Sequence, residues 1–117
     1  MAGEIKTKGP GVGRTCYFAV RGSGQSIWST SGGVGTFEAF TSGNWADYAV
    51  SLTEQGVSNV YIGNLPAAVP PGSFDIDARQ QVGAGALQTD PVIAAGSVEW
   101  NGSKIVPLSD LATSGQV

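Results

Sequence analysis

A chain of 117 residues without a single histidine must do any chemistry with carboxylates, hydroxyls, a few amines and one thiol. Histidine is the side chain that most readily exchanges a proton near neutral pH. Its absence removes the Ser-His-Asp triad and most transition-metal sites. Cys16 is the only cysteine. It has no intrachain disulfide partner, cannot hold zinc alone, and would need a basic neighbour to act as a nucleophile. It lies in the alternating run Cys16-Tyr17-Phe18-Ala19-Val20, so an inert core thiol is expected. Asp75-Ile76-Asp77 puts both carboxylates on one face of an extended segment, a start towards a Ca²⁺ site. No Asp-rich loop accompanies the pair, and a solvated strand face is the expectation. Gly32-Gly33-Val34-Gly35 lacks the Lys-Ser/Thr of a phosphate loop and reads as a flexible connection. Trp28, Trp45 and Trp100 are able to stack on sugar rings, but anchoring the core is the commoner use of such residues in a β-sandwich. No catalytic set, cofactor site or metal site is expected.

The elements that must position these residues are short and extended. Period-2 alternation and turn residues mark strands over 14–20, 26–30, 35–40, 47–53, 59–65, 73–80, 91–100 and 104–108. The clearest is 73–80, where Phe74, Ile76 and Ala78 alternate with Asp75, Asp77 and Arg79. In 47–53, Tyr48, Val50 and Leu52 share a face. Asn101-Gly102 between two apolar runs predicts a two-residue hairpin turn, with positive φ at both residues. Pro66, Pro70, Pro71 and Gly72 exclude a central strand between them. No segment holds a helical period. The expected fold class is all-β, an antiparallel β-sandwich of immunoglobulin-like type with a flexible N-terminal arm. The Cys…Trp…Cys pattern of antibody domains is missing. Phe18, Val20, Tyr48, Val50, Leu52, Phe74, Ile76, Val98 and Trp100 are expected in one core. The expected organisation is an arm over 1–13, a sandwich over 14–108 and a tail over 109–117.

Charge divides the same way. Only 13% of residues are charged, 41% are hydrophobic, and the net charge is −3. Lys6, Lys8, Arg14 and Arg21 fall in the first 21 residues against Glu4, whereas the remainder is acidic. An acidic body argues against nucleic-acid binding, which needs clustered Lys and Arg. No run is long and apolar enough to suggest a membrane span, and the start has no apolar signal-peptide core. Synthesis in the cytoplasm without a signal peptide is expected. The basic arm, through Lys6, Lys8 and Arg14, is the candidate partner-binding element, disordered alone and ordered against an acidic neighbour. Its removal is expected to leave the sandwich folded.

Three stretches carry a resemblance. Gly35-Thr36-Phe37-Glu38-Ala39-Phe40, Asn44 to Gly56 (Asn-Trp-Ala-Asp-Tyr-Ala-Val-Ser-Leu-Thr-Glu-Gln-Gly) and Tyr61-Ile62-Gly63-Asn64-Leu65-Pro66-Ala67 resemble a small β-sandwich module of tailed-phage and prophage virion structural proteins. Pro71-Gly72-Ser73-Phe74, Gln80-Gln81-Val82-Gly83 and Val98-Glu99-Trp100-Asn101-Gly102 continue it in order, over roughly 16–108. These motifs are aromatic anchors and turns and carry no catalytic residue. The resemblance implies a non-enzymatic virion protein, foremost a capsid decoration or head-surface protein. Its partners would be the major capsid protein or other virion proteins. A homo-oligomer is implied, with a trimer expected because capsid lattices offer local threefold sites. The other reading is a tail or fibre appendage that binds a host glycan or receptor. An exposed aromatic cleft would mark the second reading, and buried aromatics the first.

Overall fold

A computed structural model describes residues 5–22, 24–30, 35–102 and 105–106. The strands are β1 (Ile5–Lys8), β2 (Cys16–Arg21), β3 (Ser26–Ser29), β4 (Thr36–Ala39), β5 (Val50–Glu54), β6 (Val60–Gly63), β7 (Gly72–Gln80), β8 (Val92–Trp100) and β9 (Ile105–Val106). A 3-10 turn (Ser42–Asn44) leads into one α-helical turn, α1 (Trp45–Tyr48), ahead of β5. All pairings are antiparallel. The order is β1-β6-β5-β2-β7-β8-β9, with β3 joining β2 to β4. The chain is thus an all-β, sandwich-like fold, as its alternation implies. The fold curls at β5. Val50, Ser51 and Leu52 pair with β2, whereas Thr53 and Glu54 pair with β6. One strand therefore belongs to both layers and carries β1 and β6 over the face of β2 and β7.

The main core fills the space between these layers. Ile5 and Tyr61 come from one side; Cys16, Phe18, Val20, Phe74, Ile76, Ala78 and Trp100 come from the other. Alternation explains β7, whose Phe74, Ile76 and Ala78 are buried. In β8 the register slips. Ala78 faces Ala94 but Arg79 faces Val92, so Ile93 is the extra residue of a bulge. Ile93 and Ala94 both pack on the core as a result.

The single predicted core is instead two. Tyr17, Ala19, Ile27, Trp45 and Tyr48 form a second cluster on the reverse face of β2. Strand β2 is buried on both faces, from Cys16 to Val20. Tyr48 leaves the main core because 47–53 is not one strand. Trp45 and Tyr48 stand three apart on a helical turn, which points both inward on one side. Ala49 then returns to extended backbone at φ −76° and ψ 127°.

Two further expectations are corrected. Residues 5–8 are not part of an arm: Ile5, Lys6, Thr7 and Lys8 pair with Gly63, Ile62, Tyr61 and Val60, and Ile5 is buried. A four-residue strand gains little by itself, but a paired edge and one buried isoleucine are enough to fix it. Asn101-Gly102 is not a two-residue turn, because Trp100 pairs with Ile105 and leaves four residues between. Of the two, only Gly102 takes a positive φ, at 100°. The proposed tail, 109–117, lies outside the described residues, as do Gly32, Gly33 and Val34 of the glycine-rich run.

Candidate interaction surface

The three cations singled out in the sequence sit on β1 and the connection that follows it. Lys6 and Lys8 are exposed on the outer face of β1, opposite the buried Ile5. Arg14 is exposed on the way into β2, while its backbone N–H donates to Tyr61 Oη at 3.0 Å. Two of the three thus share a strand face, and the third is set apart on a loop. That loop is tied down closely. Gly9 N–H donates to the Asn59 carbonyl (2.8 Å), Gly11 N–H to Asn59 Oδ1 (2.9 Å) and Gly13 N–H to Glu54 Oε1 (2.9 Å). Tyr61 OH donates to the Gly11 carbonyl at 2.6 Å. Gly56, at φ 62°, and Asn59, at φ 61°, supply the left-handed residues of the β5–β6 turn, and the Asn59 N–H donates to Glu54 Oε2. Glycine is required at position 9: a Cβ there would stand 2.0 Å from the Tyr61 ring.

Both carboxylates of the pair are engaged within the chain. Asp77 lies between two guanidiniums, Arg21 Nε at 3.2 Å and Arg79 Nε at 2.9 Å. Asp75 accepts from Ser97 Oγ at 2.8 Å. Among the described residues no three Asp, Glu or Cys side chains converge. Cys16 is buried in the main core, where burial first, and then the Glu54 charge, push its thiol above the ordinary value.

Sequence reasoning missed the polar centre of the second cluster. Asp90 is only 4% exposed. Its carboxylate accepts from Tyr17 OH at 2.7 Å, Leu87 N–H at 2.9 Å and Val82 N–H at 3.4 Å. Trp45 Nε1 donates to Tyr17 Oη at 3.0 Å. Arg79 lies over the Trp45 ring at 4.7 Å and donates to the Gln88 carbonyl at 2.7 Å. Burial alone would raise the Asp90 carboxyl. The donors from Leu87, Tyr17 and Val82, with the Arg79 charge, outweigh it and hold the group below its usual value. Burial foremost, with the bond to Asp90 adding to it, pushes the Tyr17 phenol up to about 12. At neutral pH Asp90 is therefore ionised, and Tyr17 and Cys16 are protonated. The arrangement acts as a latch that folds the 81–91 connection back onto β2. The one cue in the sequence is Asp90 just before Pro91 in a polar turn, a placement that favours local backbone acceptance.

All three tryptophans are buried: Trp28 at 2%, Trp45 at 3% and Trp100 at 4% exposure. Trp100 Nε1 donates to the Val69 carbonyl, and Trp28 packs edge-on against Phe37. None of the three indoles is left exposed for stacking. A shallow groove of about 210 Å³ runs between Ile5–Thr7 of β1 and Ala94–Val98 of β8, with Ile76 and Ala78 as its floor. No helix among the described residues is long and apolar enough to cross a membrane. Comparison with known protein families, with curated proteins and with solved structures finds no match.

Proposed function

We propose that this chain is a non-enzymatic structural protein of a tailed-phage particle, used in repeated copies to decorate or brace the head. The observation that carries the reading is the use of the aromatics. All three tryptophans are enclosed by packing, whereas a glycan-reading appendage needs at least one exposed ring on which a sugar can stack. The resemblance over roughly 16–108 supports the same class. The partner is the major capsid protein or another virion protein. Lys6, Lys8 and Arg14, exposed on a chain of net charge −3, suit an acidic patch on that partner, and a trimer at a local threefold position is the expected arrangement.

The test is direct. Mass spectrometry of purified particles should contain the chain at a copy number commensurate with a capsid lattice, and density for it should lie on the head. Changing Lys6, Lys8 and Arg14 to Glu should leave the circular dichroism spectrum unchanged and lower the copy number per particle. Particles that never contain the chain would end this reading. Density on the tail, together with binding to a glycan array, would replace it with the appendage.

A further inference from the structure

We infer that one end of the sandwich, formed by the 9–15, 55–59 and 81–91 connections with Val92, is the face through which copies of this chain contact each other. The registers place these segments together. Lys8 is opposite Val60, Cys16 is opposite both Leu52 and Gln80, and Arg79 is opposite Val92. The three connections therefore leave the strands at the same end. They are also joined to one another. Gly11 and Gly13 donate to Asn59 and Glu54, and Gln81 N–H donates to the Thr15 carbonyl at 2.8 Å.

This end gathers the exposed large hydrophobic residues of the described chain. Val12 is 52% exposed, Val57 83%, Val82 69%, Leu87 55% and Val92 52%. Among the residues whose exposure is described, none of this kind lies at the opposite end or on the outer strand faces between. Scattered single apolar residues are ordinary on a surface, but a collection on three linked loops marks a contact site. The loops are held in place beforehand, one pair by Asn59, Glu54 and Tyr61 and the third by the Asp90 latch. Little ordering entropy remains to be lost when they meet a partner.

Charge selects a second copy as the occupant. Within these segments the only charged residues are Arg14 and Asp90. Asp90 is buried, and both carboxylate oxygens of the adjoining Glu54 accept backbone N–H groups. Of the other described carboxylates, Glu38, Asp75, Asp77 and Glu99 lie on strands and Asp47 on α1, so none belongs to these connections. Copies of an acidic chain repel one another through most of their surface. This end is where two of them approach without bringing carboxylates face to face. The inference rests on the reading of the chain as a repeated structural unit, and it adds the face.

Sedimentation velocity of the purified full chain over a wide dilution series tests it. The chain should associate at high concentration and dissociate on dilution. The double variant Val57→Glu/Leu87→Glu should weaken association about tenfold or more, since it brings unpaired carboxylates into the contact. Ala95→Glu, on the exposed face of β8, should leave association unchanged. Both substituted positions of the double variant are exposed, so its circular dichroism should match the parent. Independently, amide hydrogen exchange in the unsubstituted chain should slow in 55–58 and 81–89 as concentration rises. A chain that stays monomeric throughout overturns the inference, as does an oligomer that the double variant leaves intact. The latter result would place the contact elsewhere without touching the repeated-copy reading, which is decided by the composition of particles.

Discussion

Asp90 ties β2 to the 81–91 connection through one buried side chain. Its carboxylate accepts from a buried phenol and from two part-buried backbone N–H groups. Asp90→Ala should lower stability by about 1–3 kcal/mol, chiefly the cost of removing the charged acceptor of the buried Tyr17 phenol, measured by urea denaturation at neutral pH. The effect should depend on pH. A carboxyl held below its usual value in the fold binds protons more readily when unfolded, so its stabilisation is present above the ordinary carboxylate pKa, about 4, and is lost as pH falls through the lowered value. The gap between parent and variant should therefore close in acid. Tyr17 works in the other direction. Its phenol, raised to about 12 from 10.0, stabilises the fold below its ordinary pKa and loses that contribution as pH rises towards 12. Tyr17→Phe should be less stable at neutral pH and should show less decline over that alkaline interval, read by the same denaturation. A parent whose stability is flat there would refute the burial assigned to Tyr17.

At the level of elements, β1 has the clearest consequence. Ile5 is 7% exposed and belongs to the main core. Ile5→Ala should cost about 2–3 kcal/mol, and removing 2–13 should destabilise the sandwich rather than leave it intact, because it also strips the edge of β6 and the acceptors' partners at Asn59 and Glu54. Thermal melts of both variants check this. An unchanged melting temperature in the truncated chain would return the segment to the status of an arm. Strand β1 was hidden in the sequence because four residues with two lysines and flanking Gly9-Pro10-Gly11 carry no period long enough to read. By contrast, β7 and β8 were legible: nine residues each, with β7 in strict alternation. The helical turn Trp45–Tyr48 was masked by accident, since Tyr48, Val50 and Leu52 alternate across its boundary. The Asn-Gly hairpin failed on a register detail. A turn dipeptide announces a reversal, but strand pairing decides how many residues the loop contains. At the interaction surface, Lys6, Lys8 and Arg14 were visible as charge, whereas the Asp90 latch joins residues 73 positions apart and leaves no local trace.

For the molecule as a whole, two hydrophobic clusters raise the question of whether they unfold separately. They share β2. Cys16, Phe18 and Val20 serve one cluster, and Tyr17 and Ala19 serve the other. The strand cannot leave one face while remaining packed on the other. Phe18→Ala and Tyr48→Ala, from opposite clusters, should therefore each shift a single transition by about 3–5 kcal/mol. Circular dichroism and tryptophan fluorescence should trace the same curve in both. Two separated transitions would mean that the reverse-face cluster is an appendix rather than part of one cooperative unit.

The buried thiol makes this molecule its own clock. Cys16 is the only sulfhydryl in the chain, 2% exposed, and is clasped between Leu52 and Gln80 of the neighbouring strands. Its environment also keeps it protonated and so unreactive while the strands are closed. An alkylating reagent can reach it only after the middle strand parts from its neighbours. Each labelled molecule therefore records one opening event. Mass spectrometry can count such events for this chain in a mixture, inside a cell or an assembled structure, where no optical signal distinguishes one protein from the rest.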